Sequence, residues 1–129
     1  MKRSNCVLAV LAAVLAMSTT AARAQAGDVT RGERVFAAQC KACHTLEKGG
    51  SNTAGPNLYW LLGRRSGTSK GYNYSEAMRR FSIEWDDRTL SAYLRDPKAD
   101  MPGTKMVFAG LKQPGQLADL IAYLKVATQ

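Results

Sequence analysis

An all-α fold of short helices joined by loops is what this sequence predicts, on three observations. Apolar and small residues recur at helical spacing through Val29, Gly32, Val35, Phe36, Cys40 and Cys43. Near the end, Leu117, Leu120, Ile121 and Leu124 form an i, i+3, i+4, i+7 stripe. No long strand pattern lies between them.

Taken in order, the first helix opens at Asp28, whose short carboxylate suits an N-cap. A short helix spans Ser75 to Phe81 and carries Met78 as a core or pocket residue. A middle helix runs from Asp86, another good N-cap, through Leu90, Tyr93 and Leu94, and stops before Pro97. The stretch from Asp96 to Gly110 is broken by Pro97, Pro102, Gly103 and Gly110, so it is expected to wrap as a loop. Pro114 fits the first turn of the last helix. No internal repeat or low-complexity linker interrupts the chain.

A chain of 129 residues with 46% hydrophobic and 22% charged side chains has the size and composition of one globular domain. These values exclude a disordered tail, a collagen, a disulfide-dense toxin and a multi-span membrane protein. Lysine and arginine number 18 against 10 acids, a formal charge of +8, which suits an acidic partner.

The N-terminus explains part of that charge. Lys2 and Arg3 precede an apolar run from Val7 to Met17, and Ala22-Arg23-Ala24 offers a cleavage site before Gln25. This is the pattern of a secretory signal peptide. The expected organisation is a signal peptide over 1–24 and one domain over 25–129. A second reading cuts after residue 26. An uncut anchor is the rival, but the run is short for a span of about 20 residues. Cys6 lies in this segment without a lipobox before it. Losing Lys2, Arg3 and Arg23 takes three of the 18 basic residues and no acid, leaving +5.

The mature chain then holds two cysteines, in Cys40-Lys41-Ala42-Cys43-His44. This C-x-x-C-H is the attachment pattern of c-type haem. Two thiols one helical turn apart can add to the two vinyl groups of one porphyrin edge, and the adjacent imidazole falls under the iron. A structural disulfide gives the histidine no role. A thioredoxin-like pair needs a βαβ pattern. A zinc site needs four ligands, and no further cysteine or histidine remains.

His44 is the lone histidine, so the second axial position falls to a lysine, a methionine or no ligand. Met78 lies in the short helix. Met101 and Met106 both lie in the broken segment, where a loop can carry a side chain to the face opposite His44. Position alone leaves these two nearly equal.

Pro102-Gly103-Thr104-Lys105-Met106 resembles the distal ligand loop of the class I cytochromes c, the mitochondrial cytochrome c and bacterial cytochrome c2 group. The resemblance runs from Gly27 to Thr128 and includes Gly27-Asp28-Val29, Cys43-His44-Thr45, Glu47-Lys48-Gly49-Gly50, Gly55-Pro56-Asn57-Leu58 and Asp119 to Lys125. It implies a small fold in which the terminal helices cross at Gly32 and loops wrap one covalent haem c. It assigns Met106 as the sulfur ligand opposite His44, and the Gly55-Pro56 turn as the partner that orients His44. Arg64, Tyr74 and Trp85 match positions that hydrogen-bond or neutralise haem propionates. Tyr93 and Thr104 match residues near the sulfur and the haem edge. Arg34, Lys41, Lys98, Lys105 and Lys112 are the candidates for a basic docking ring. Two departures stand out. Met78 occupies a position where asparagine is common. Gln39, Ser51, Thr53, Ala99 and Gln113 stand where mitochondrial members usually carry lysine.

The implied function is a soluble, monomeric periplasmic electron carrier. Its donor would be a cytochrome bc1 complex, and its acceptor a cytochrome oxidase or a photosynthetic reaction centre. No nucleic-acid binding and no stable membrane insertion are expected. The alternatives are a haem peroxidase, which needs an open iron face and an acid–base group above it, and a gas-binding cytochrome. The latter more often carries C-x-x-C-H near the C-terminus of a four-helix bundle.

Overall fold

The computed structural model describes residues 26–129. The expected signal peptide, with Cys6 and the cleavage site after residue 24, lies outside the described residues. Among the described residues, five helices follow one another: α1 (Val29–Gln39), α2 (Glu76–Phe81), α3 (Asp87–Arg95), α4 (Pro97–Asp100) and α5 (Pro114–Ala127). The fold is all-α. Among the described residues the extended pairing is a single isolated bridge between Arg65 and Glu84.

Local chemistry explains the helix starts. The Asp28 carboxylate accepts the Arg31 N–H at 2.7 Å, and the Ser75 hydroxyl accepts that of Met78 at 3.1 Å. Asp86 and Thr89 form a reciprocal capping box on α3. Pro114 sits in the first turn of α5, where a missing N–H removes no helical bond.

Two expectations need correction. The helical spacing through Cys40 and Cys43 does not continue as helix, because α1 ends at Gln39. Cys40 and Lys41 both donate to the Phe36 carbonyl, and Cys43 and His44 both donate to that of Cys40. These turns tighten the chain just where the motif lies. The segment from Asp96 to Gly110 is not loop throughout either. Asp96 caps a single helical turn, α4, with Pro97 at its start. Proline is compatible with a first turn, so the break falls after Asp100 instead.

The terminal helices cross closely. A Cβ on Gly32 would lie 2.0 Å from the Asp119 carbonyl oxygen, and one on Gly27 would lie 2.0 Å from that of Ala118. Only the absence of side chains lets the two backbones approach this far. Phe36 and Tyr123 pack beside the crossing, with ring centres 5.7 Å apart. The buried Asp119 carboxylate takes the Asp28 N–H at 2.7 Å and the Arg31 guanidinium at 2.7 and 2.9 Å. Helix α3 also packs on α5. Among the described residues, no helix is long and apolar enough to cross a membrane.

Candidate functional site

Between the crossed helices and the loops lies a mostly apolar cavity of about 220 Å³. One part of its wall is the turn after α1, with Cys40, Cys43 and His44. The Cys40 thiol is pushed up to about 11, first by burial and then by Cys43 beside it. Cys43 is exposed, and the two cysteines form no disulfide with each other.

His44 is held from behind. Its Nδ1 lies 2.7 Å from the Pro56 carbonyl oxygen. A carbonyl can only accept, so Nδ1 carries the proton and the lone pair of neutral imidazole is left on Nε2. Burial lowers the histidine pKa and the Pro56 bond partly opposes it, which keeps the ring neutral at physiological pH. Gly55 packs directly against the ring: a Cβ there would meet His44 Cε1 at 2.4 Å.

The distal loop supplies Thr104, Lys105 and Met106 to the same cavity. Thr104 Oγ1 and the Tyr93 hydroxyl are 2.7 Å apart and share a hydrogen bond. Met101 is fully buried in the core and does not line the cavity. The two methionines that sequence position left equal thus meet different surroundings.

Arg64 is half-buried at the wall. Its guanidinium donates to the carbonyls of Tyr59 at 2.8 Å and Asn57 at 3.2 Å. No carboxylate among the described residues forms an ion pair with it, and burial lowers its pKa. A partly desolvated cation facing an apolar cavity calls for an anion. Tyr74 and Trp85 are buried in the same wall, and Trp85 packs on Tyr93 with ring centres 5.3 Å apart. Met78 lines the cavity as well, buried, with its carbonyl taking the Ser66 hydroxyl at 3.1 Å.

All ten residues expected around the cofactor therefore line one cavity: Cys40, Cys43, His44, Pro56, Arg64, Tyr74, Trp85, Tyr93, Thr104 and Met106. The donor set fits a haem c. It offers two thiols beside an oriented imidazole, a thioether, an apolar wall for the macrocycle and a guanidinium for the propionates.

The four expected docking lysines divide. Lys41 and Lys98 are exposed and make no ion pair among the described residues. Lys112 instead donates to the Arg95 carbonyl at 2.8 Å and the Asp96 carboxylate at 3.0 Å, capping the end of α3. Lys105 donates to the Asn73 carbonyl. Sequence reasoning missed Tyr72 as part of the site. The alternation Tyr72-Asn73-Tyr74 beside glycine was the available signal.

The family model described as Cytochrome c matches residues 29–128. A cytochrome c of Chlamydomonas reinhardtii is 54% identical over 110 residues, covering 85% of this chain and 98% of the relative. One from Guizotia abyssinica is 51% identical, covering 83% and 96%. One from Sesamum indicum is 53% identical, covering 79% and 92%.

Proposed function

The chain belongs to the cytochrome c family, as a class I electron carrier with one covalent haem c rather than an enzyme, and from that premise we propose that it is a soluble, monomeric periplasmic shuttle. It takes electrons from a cytochrome bc1 complex and delivers them to a cytochrome oxidase or a photosynthetic reaction centre. The observation that carries the site assignment is that Cys40, Cys43, His44 and Met106 line a single cavity. In this reading Cys40 and Cys43 would hold the haem by thioethers, and His44 Nε2 and the Met106 sulfur would be the two protein atoms that ligate its iron.

The haem supplies a one-electron ferric–ferrous couple. The chain's own residues set the terms of that couple. The Pro56 carbonyl fixes the His44 tautomer and raises its basicity. The Met106 thioether would favour the electron-rich ferrous form, and the apolar wall would keep water from the macrocycle. Arg64, held by the Tyr59 and Asn57 carbonyls at the cavity wall, would offset propionate charge.

Export rests on the N-terminal sequence alone: Lys2 and Arg3, the apolar run, and the small residues at 22–26. With +5 remaining after cleavage, Lys41 and Lys98 serve as free docking charges, with Lys105 and Lys112 as secondary ones. The test combines fractionation with kinetics. The mature protein should appear in the periplasmic fraction with residues 1–24 or 1–26 removed, as read by intact mass. In stopped-flow it should be reduced by membranes containing bc1 complex. Cytoplasmic protein with its N-terminus intact overturns the localisation. Absence of reduction by bc1 membranes overturns the donor.

A further inference from the structure

We propose that Tyr72 is a positioning residue: it clasps the loop carrying Met106 to the loop after His44 and so restrains the opening of the cavity to small ligands. This rests on the ligand roles proposed above for His44 and Met106.

Three contacts converge on Tyr72. Its hydroxyl donates to the Ala54 carbonyl at 2.7 Å. The Lys105 ammonium lies 4.9 Å from the centre of its ring, a cation–π contact, and also donates to the carbonyl of neighbouring Asn73. Its ring meets Tyr74 edge-on, with centres 4.8 Å apart and planes at 77°. Ala54 precedes Gly55, which backs onto the His44 ring, and Lys105 precedes Met106. Residues 70–74 thereby form a strap between two loops that are distant in sequence. A further bond, from Asn52 Nδ2 to the Lys70 carbonyl at 3.0 Å, fixes the near end of the strap.

Ala54, Tyr72 and Lys105 all line the cavity, so the strap crosses its edge. These contacts are partly open to water, and each contributes modestly. Segments held in this way open at lower free energy than the whole fold. Lys105 acts here as a tether, which separates it from the freely solvated Lys98.

The test is the rate at which cyanide binds the ferric holoprotein, since cyanide must displace Met106. Tyr72→Phe removes only the hydroxyl bond and leaves charge unchanged. It should raise the rate roughly three- to tenfold, the size expected for one partly exposed hydrogen bond. Lys105→Gln should act in the same direction, and Tyr72→Leu at least as strongly as Tyr72→Phe. Thr89→Ala breaks the α3 capping box without touching the strap, and should leave the rate unchanged. Unaltered rates in Tyr72→Phe, Tyr72→Leu and Lys105→Gln, with the sulfur–iron absorption band present in the wild type, overturn the strap alone. Equal acceleration in Thr89→Ala also overturns it, because entry would then follow global stability. Absence of that band from the wild type overturns the ligand reading, and the strap's role with it.

Discussion

Met101 and Met106 lie on one stretch of chain yet do different work. Met101 follows the single turn of α4 and is fully buried in the core. Met106 lies beyond the Pro102-Gly103 bend and lines the cavity. Met106→Ala should abolish the sulfur–iron absorption band, lower the potential and admit cyanide and carbon monoxide. Met101→Ala should keep the band and lose about 2–5 kcal/mol of stability, the usual result of truncating a buried large side chain. Absorption spectra and urea titrations of both variants check the pair of outcomes. A band lost with Met101 and kept with Met106 would reverse the ligand assignment.

Among elements, the crossing of α1 and α5 is the contact on which the fold turns. Gly32 faces the backbone carbonyl of Asp119, which cannot move aside as a flexible side chain could. Gly32→Ala should therefore destabilise the holoprotein by roughly 2–3 kcal/mol, the scale of overpacking, seen as a lower urea midpoint. The same crossing makes stability depend on pH. Hydrogen bonds from Arg31, then from the Asp28 N–H, hold the Asp119 carboxyl below its ordinary range. A carboxylate with a depressed folded pKa adds stability above its unfolded pKa and loses it as pH falls through the folded value. Wild-type stability should decline once pH drops below about 4, the ordinary carboxylate pKa. Asp119→Asn should be less stable at neutral pH and show a shallower acid limb in chemical unfolding across that range. An identical acid limb in the variant would remove Asp119 as its cause.

At the scale of the molecule, core and cofactor site are the same place. Phe36, Leu61, Tyr74, Met78, Trp85, Leu90, Tyr93, Leu120 and Leu124 belong to the buried core and also line the cavity. Without the haem these side chains face a mostly apolar cleft of some 220 Å³ instead of a packed partner. A domain's total stability is only about 5–15 kcal/mol, so that lost burial weighs heavily. Cys40→Ala combined with Cys43→Ala should thus yield a haem-free chain that is unfolded or molten, and a well-dispersed NMR spectrum of it would contradict this. Charge acts at the same scale. With the +5 that the proposed cleavage would leave, electron transfer to an acidic partner should slow as salt rises, since steering acts on association. Lys98→Glu should reduce the rate more than Arg88→Glu in stopped-flow. A flat salt response would point to apolar contact as the basis of docking.

Much of this was legible in the sequence because it is local. C-x-x-C-H places its thiols and imidazole within one turn of chain, and Asp28, Ser75 and Asp86 cap helices through bonds only three residues long. The Leu117 to Leu124 stripe needs only helical periodicity. Helical spacing did not show that the first helix stops before its cysteines, because Phe36 accepts two N–H groups and the chain tightens into turns. Nor did proline and glycine counting reveal α4, since Pro97 begins a turn as readily as it ends one. Resemblance pointed to Met106. That it reaches the cavity while Met101 fills the core depends on how α4 and its following loop pack. The Tyr72–Ala54 and Arg31–Asp119 bonds join residues far apart in sequence. Only tertiary structure decided these, because such contacts follow from where the whole chain has packed and leave no periodic mark on either segment.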